Sequence, residues 1–117
     1  MSAVEVGHGA DAGLVWHYGD PFAEQRAMQA GDAVVELGNR EVFTVSGAER
    51  LSWLHTLTAQ DLTALEPGGA VDVLALSATG QIAHWFVLID DGETAWCWTE
   101  PGAREALVGW LEKMKFW

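Results

Sequence analysis

From Val71 to Trp98 the chain alternates β-rich stretches with connections too short for anything but antiparallel neighbours. Val71–Ser77 ends at Thr79-Gly80, Ile82–Ile89 ends at Asp90-Asp91-Gly92, and Thr94–Trp98 follows. Antiparallel strands can be joined by a tight turn, whereas parallel strands need a crossover of a dozen or more residues. The stretch therefore predicts a three-stranded meander. The first two stretches carry apolar residues on both faces, as central strands do. After Pro101, Ala103, Ala106, Leu107, Trp110, Leu111 and Met114 recur at i, i+3, i+4 spacing, which predicts a closing helix. Glu105 near its start and Lys113 and Lys115 near its end suit the helix dipole.

Upstream, Asp20-Pro21 is a helix start, with Asp as cap and Pro at the first helical position, and Gly31 ends that helix. Ala33–Leu37 and Glu41–Val45 read as two strands around a Gly38-Asn39 turn. Ser46-Gly47-Ala48-Glu49 reads as a capping box opening a helix with Leu51, Trp53, Leu54 and Leu57 on its apolar face. Residues 1–13, rich in Gly and Ala without periodicity, read as a flexible arm. From residue 33 the order is β-β-α-β-β-β-α, an α+β fold with a mainly antiparallel sheet and helices on one face.

Composition narrows the function. Six Lys and Arg stand against seventeen Asp and Glu, a net charge of -11, which repels phosphate backbones and argues against direct nucleic-acid binding. No apolar run reaches membrane-spanning length, and the N-terminus lacks the basic start of a signal peptide. One cysteine, Cys97, cannot form an internal disulfide, and the expected location is cytoplasmic. The four histidines, His8, His17, His55 and His84, do not pair at i, i+3 or i+4, so no metal site is expected. Cys97, mid-strand between Trp96 and Trp98, reads as a buried, inert thiol. Asp90-Asp91-Gly92 reads as a hairpin turn. His55 reads as a core-edge residue. His84 beside Trp85 on an apolar strand points to a pocket or a wet sheet edge. Of the seven Trp, Trp53 and Trp110 read as packing, while Trp85, Trp96 and Trp98 could form an aromatic face, either buried or stacking a flat ligand.

Several blocks carry a family likeness: Val34-Val35-Glu36-Leu37-Gly38-Asn39-Arg40, Phe43 to Leu54, Leu57-Thr58-Ala59-Gln60-Asp61-Leu62, Leu65-Glu66-Pro67-Gly68 and Leu76 to Ile82. In this order and spacing they resemble the folate-binding superfamily of glycine-cleavage T-proteins (aminomethyltransferases), and within it the YgfZ-type branch. Trp16-His17-Tyr18-Gly19-Asp20-Pro21 is similar to the N-terminal segment of that branch. The resemblance implies a fold of two β2-α-β3-α subdomains that exchange first strands around a folate site. It implies that residues 14–117 are the N-terminal half of such a domain, truncated at the C-terminus.

Two departures bear on activity. Where T-proteins carry Gly-Gly-x-x-Asp-Asp, this chain has Gly80-Gln81-Ile82-Ala83-His84-Trp85; an imidazole and an indole cannot offer a carboxylate's charge to a developing cation. Where T-proteins carry Ser-His-Met, it has Gly38-Asn39-Arg40, with Arg40 as in the YgfZ branch. The resemblance therefore implies a non-enzymatic, folate-binding accessory protein of iron–sulfur cluster enzyme maintenance and tRNA modification. Its partners would be iron–sulfur enzymes or their assembly proteins. Tetrahydrofolate or a derivative would contact Arg40, His84 and Trp85, with Arg40 facing its anionic tail and Trp85 its pterin ring. The alternatives are an aminomethyltransferase domain and a stand-alone protein-interaction module. A half-domain of this kind is expected to pair with a second copy, with or without strand exchange, over Trp96, Trp98 or Phe116 and Trp117.

Overall fold

The computed structural model describes residues 2–115. It divides into two units, one ending at Asn39 and one starting at Arg40. In the first unit, β1 (Val4–Glu5) pairs antiparallel with β2 (Val15–His17), and α1 (Pro21–Gln29) follows. The segment expected to be a loose arm thus contributes a short strand to a two-stranded ribbon. Helix α1 begins as its sequence predicts, because Asp20 Oδ1 accepts from Ala23 N at 3.0 Å and Pro21 opens the first turn. Glu24 adds to the cap, its two carboxylate oxygens accepting from Tyr18 N and Asp20 N.

The strand expected over Ala33–Leu37 is absent. Those residues have no regular structure, and Val34 is 98% exposed. Strand propensity without a ladder partner leaves backbone groups to water. The Gly38-Asn39 hairpin does not form either. The Asn39 side-chain amide donates instead to Ala10 O at 3.0 Å and Asp11 Oδ1 at 2.9 Å.

In the second unit, β3 (Glu41–Ser46), α2 (Arg50–Leu57), β4 (Ala70–Leu76), β5 (Ile82–Asp90), β6 (Thr94–Thr99) and α3 (Arg104–Lys113) follow in order. The four strands form one antiparallel sheet in the order β3-β6-β5-β4, so the unit is α+β as expected and the meander stands. The capping box before α2 does not form. Ser46 closes β3 opposite Thr94, so its ladder position takes the residue that would have capped. Glu49 sits at the cap without a side-chain bond, and Gly47 makes the turn at φ 116°.

Leu54 of α2 and Leu62 beyond it, Val73, Phe86, Leu88, Ala95 and Cys97 from the sheet, and Leu107 and Leu111 from α3 make the core. Phe43 packs edge-on against Phe86, with ring centroids 5.4 Å apart. Ala106, placed in the apolar stripe of α3 by its spacing, is exposed. Trp53 packs as expected, and its indole nitrogen donates to Met114 O at 3.3 Å, tying α2 to α3. Phe116 and Trp117, named above as interface residues, lie outside the described residues.

Candidate functional site

A strand sends alternate side chains to opposite faces, and this rule separates the two residues that the sequence places together. His84 pairs with buried Ala75, and its ring meets Trp110 of α3 at 5.4 Å on the helix-covered face. Trp85 pairs with Leu74 and points the other way. Its indole meets Trp98 edge-on at 5.4 Å and donates to Asp72 Oδ1 at 3.2 Å. Their side chains therefore do not converge on one ring.

Between β5 and α3 lies a groove of about 280 Å³, lined by Ile82, Ala83, His84, Trp85, Thr99, Glu100, Ala103 and Leu107. A bulge lies at its wall. Ala75 pairs with His84 but Leu76 pairs with Ile82, so Ala83 is an extra residue on β5 at the groove's wall. The floor is set by Leu107, and the α3 end is held by Glu41. Its Oε1 accepts from Gly102 N at 2.6 Å and Arg104 N at 3.4 Å, while its Oε2 lies 3.4 Å from Arg104 Nη2. Thr99 Oγ1 donates to Trp85 O at 2.7 Å, binding β6 to β5 beside the groove.

Arg40 is the residue before β3 and is half-buried. The register Val42↔Trp98↔Val87, continued by two residues, brings Arg40, Glu100 and Trp85 to one end of the sheet. Sequence reasoning missed Glu100, Thr99, Ala103 and Leu107 as groove residues. Their signal was the Glu100-Pro101 helix entry directly after the third meander strand, which must return the chain over the start of β5.

The opposite face carries Trp85, Trp96, Trp98, Val42 and Ile89, with Trp96 50% and Val42 52% exposed. Two of its indoles are fixed by acids: Trp85 by Asp72 and Trp96 by Asp91 Oδ2 at 2.9 Å. Asp91 also accepts from the backbone N–H groups of Glu93 and Thr94, so it closes the expected β5–β6 hairpin turn. The Trp96 indole N–H, with those two amides, pulls the Asp91 carboxyl down to about 2.

Cys97 and His55 serve the fold. Cys97 is buried and free, and burial pushes its thiol up to about 12. His55 Nδ1 accepts from Leu62 N at 3.2 Å and pins the turn after α2. Among the described residues no group of three or more His, Cys, Asp or Glu could hold a metal ion. No helix of the described residues is long and apolar enough to cross a membrane.

No model of a known protein family matches the chain. Over 97 residues it is 24% identical to an aminomethyltransferase of Alcanivorax borkumensis. That match covers 83% of this chain and 27% of the relative, so the chain spans about a quarter of the curated relative's length. The likeness is distant, and with the α+β architecture it supports the T-protein superfamily.

Proposed function

We propose that this chain is the folate-binding N-terminal segment of a YgfZ-like accessory protein that serves iron–sulfur enzymes and tRNA modification. The observation that carries the reading is the groove beside His84. In the resemblance His84 stands where T-proteins carry an acid, and its imidazole lies tilted against Trp110 with ring centroids 5.4 Å apart beside the groove. Support comes from the distant likeness to an aminomethyltransferase and from the ordered blocks that resemble the superfamily.

A groove of about 280 Å³ is just below the ~300–1,000 Å³ usual for small-molecule sites. It suits a ring system and leaves a ligand's tail outside. In this reading the pterin ring of a reduced folate stacks against His84 in the groove, with Glu100 accepting from its N–H groups. Arg40, at the same end of the sheet, attracts the anionic tail. Trp85 borders the groove through its backbone. What bound folate would supply is one-carbon chemistry, and the chain's own residues bind and orient it.

The test is a titration of the chain with a reduced folate, followed by tryptophan fluorescence. Quenching is expected, with at least tenfold weaker binding in His84→Ala. No quenching, or unchanged affinity in both His84→Ala and Trp85→Ala, overturns the ligand assignment. The second reading, an aminomethyltransferase, is supported by the distant likeness to an aminomethyltransferase. It requires methylene-tetrahydrofolate to form from an aminomethylated lipoyl carrier. The exchange of two acids for His84 and Trp85 weighs against it.

A further inference from the structure

The loop that leaves α2 is fastened along β4. Ala59 N donates to Leu74 O and Gln60 Nε2 donates to Asp72 O, both at 2.8 Å. Thr58 Oγ1 donates to Leu54 O at 2.7 Å, and Gln60 Oε1 accepts from Asp61 N at 3.1 Å. The far end is Leu62, a fully buried core residue. Residues 58–62 thus form a strap, and its last backbone fastening is a histidine. His55 Nδ1 accepts from Leu62 N at 3.2 Å.

That nitrogen faces a second partner. Asp61 Oδ1 lies 3.4 Å from it. A ring nitrogen that accepts an amide proton carries none itself, whereas both ring nitrogens of a charged histidine are donors. Nδ1 can therefore accept from Leu62 or donate to Asp61, but not both. The neutral ring serves the amide, and the charged ring serves the carboxylate.

We propose that protonation of His55 exchanges Leu62 N for Asp61 Oδ1 and so loosens the strap from β4. The amide left behind belongs to a buried residue. A buried donor without an acceptor is costly, and the backbone relieves the cost by moving until water reaches it. Asp61 Oδ1 is drawn toward the ring and away from its present donors, Thr63 N at 3.1 Å and Thr63 Oγ1 at 2.8 Å. The turn after the strap loosens with it.

The surrounding charges leave the exchange to these groups. The Thr63 hydrogen bonds hold the Asp61 carboxyl below its ordinary 3.8, so it stays an anion across the range of about pH 5–8 in which histidines change charge. His55 lies in the last turn of α2, where the helix dipole also favours a cation. On the same helix Arg50 is held by Asp90. Strand β6, which packs on α2, carries no acid or base except the buried Cys97 thiol. On β4, Asp72 gives its carboxylate to the Trp85 indole on the other face of the sheet. Helix α3 meets α2 through Trp53, about 200° around the helix from His55. Among the described residues Asp61 is the acid that reaches the ring, and Glu66 in the following loop does not pair with it.

The test is nuclear magnetic resonance of the full isotope-labelled chain between about pH 8 and pH 5, read at the His55 ring and at the strap amides. The Leu62 amide proton is expected to shift with the same midpoint as the ring. Protection from hydrogen exchange at Leu62 and Ala59 should fall by about tenfold or more in the acid form. His55→Asn offers an amide oxygen that accepts at every pH, so both readouts should stay flat. Asp61→Asn removes the competing carboxylate, so Leu62 should keep its bond to more acid pH. A Leu62 amide that ignores the ring's titration overturns the proposal, as does a His55→Asn chain that responds to pH like the parent. If either variant fails to fold, the parent's own titration decides.

Discussion

Arg50 and Asp90, forty residues apart in the chain, meet through two 2.7 Å hydrogen bonds at a buried junction of α2 and β5. Arg50 Nε and Nη2 each donate to one carboxylate oxygen, Arg50 Nη1 donates to Gly47 O, and Gly92 N donates back to Asp90 Oδ2. Every polar end of the pair is thus occupied, as burial of charge requires.

Removing one partner should cost far more than removing both. Asp90→Asn or Arg50→Met leaves a buried charge or donor unmatched and should destabilise the chain by about 3–5 kcal/mol. The double replacement Arg50→Met with Asp90→Leu should recover much of that loss. Urea denaturation of the three variants checks this.

Acid should act through the same corner of the fold. The Arg50 hydrogen bonds hold the Asp90 carboxyl below its ordinary 3.8, against the opposing effect of burial. Asp91 lies at about 2. Both values are depressed in the folded state, so their contribution is present above about pH 4. It is lost as pH falls through the folded values. Thermal melts from pH 6 to pH 2 should show stability dropping from about pH 4 downward. Trp96→Phe removes the largest cause at Asp91, so NMR titration should find that carboxyl moved upward toward its ordinary value.

The Cys97 thiol should be silent in the folded chain. Its exposure is 1% and its thiol is pushed up to about 12, so almost no thiolate forms at neutral pH. A chromogenic disulfide reagent should react only after denaturant unfolds the sheet. Fast reaction under native conditions would contradict the burial.

Glu41 is a helix cap from another element. Glu41→Ala frees Gly102 N, Arg104 N and the Arg104 guanidinium together, and should cost about 1 kcal/mol. For a unit of this size that corresponds to a melting-point drop of roughly 4–8 °C. Glu41→Gln, which keeps an acceptor oxygen, should lose less.

What could be read in advance follows the range of the forces involved. Helix α1, the meander, α3 and the inert thiol rest on neighbours within a few residues, and all were legible. Two local signals misled because a longer-range partner decided them. Val34 and Val35 have strand propensity but no strand to join, and Ser46 is held in the β3–β6 ladder before it can cap α2. The Arg50–Asp90 pair and the extra residue at Ala83 are set by register across the sheet, which spacing along one strand does not reveal. His84 and Trp85 are consecutive in the chain, and the period of a strand splits them between two faces.

That split has a thermodynamic consequence. Trp85 and His84 are neighbours in sequence, yet the sheet itself stands between their rings as a partition. A molecule held against Trp110 on one side and a surface covering Trp96 and Trp98 on the other need not compete. Occupancy of the two faces should then be additive, with each dissociation constant unchanged by the other guest.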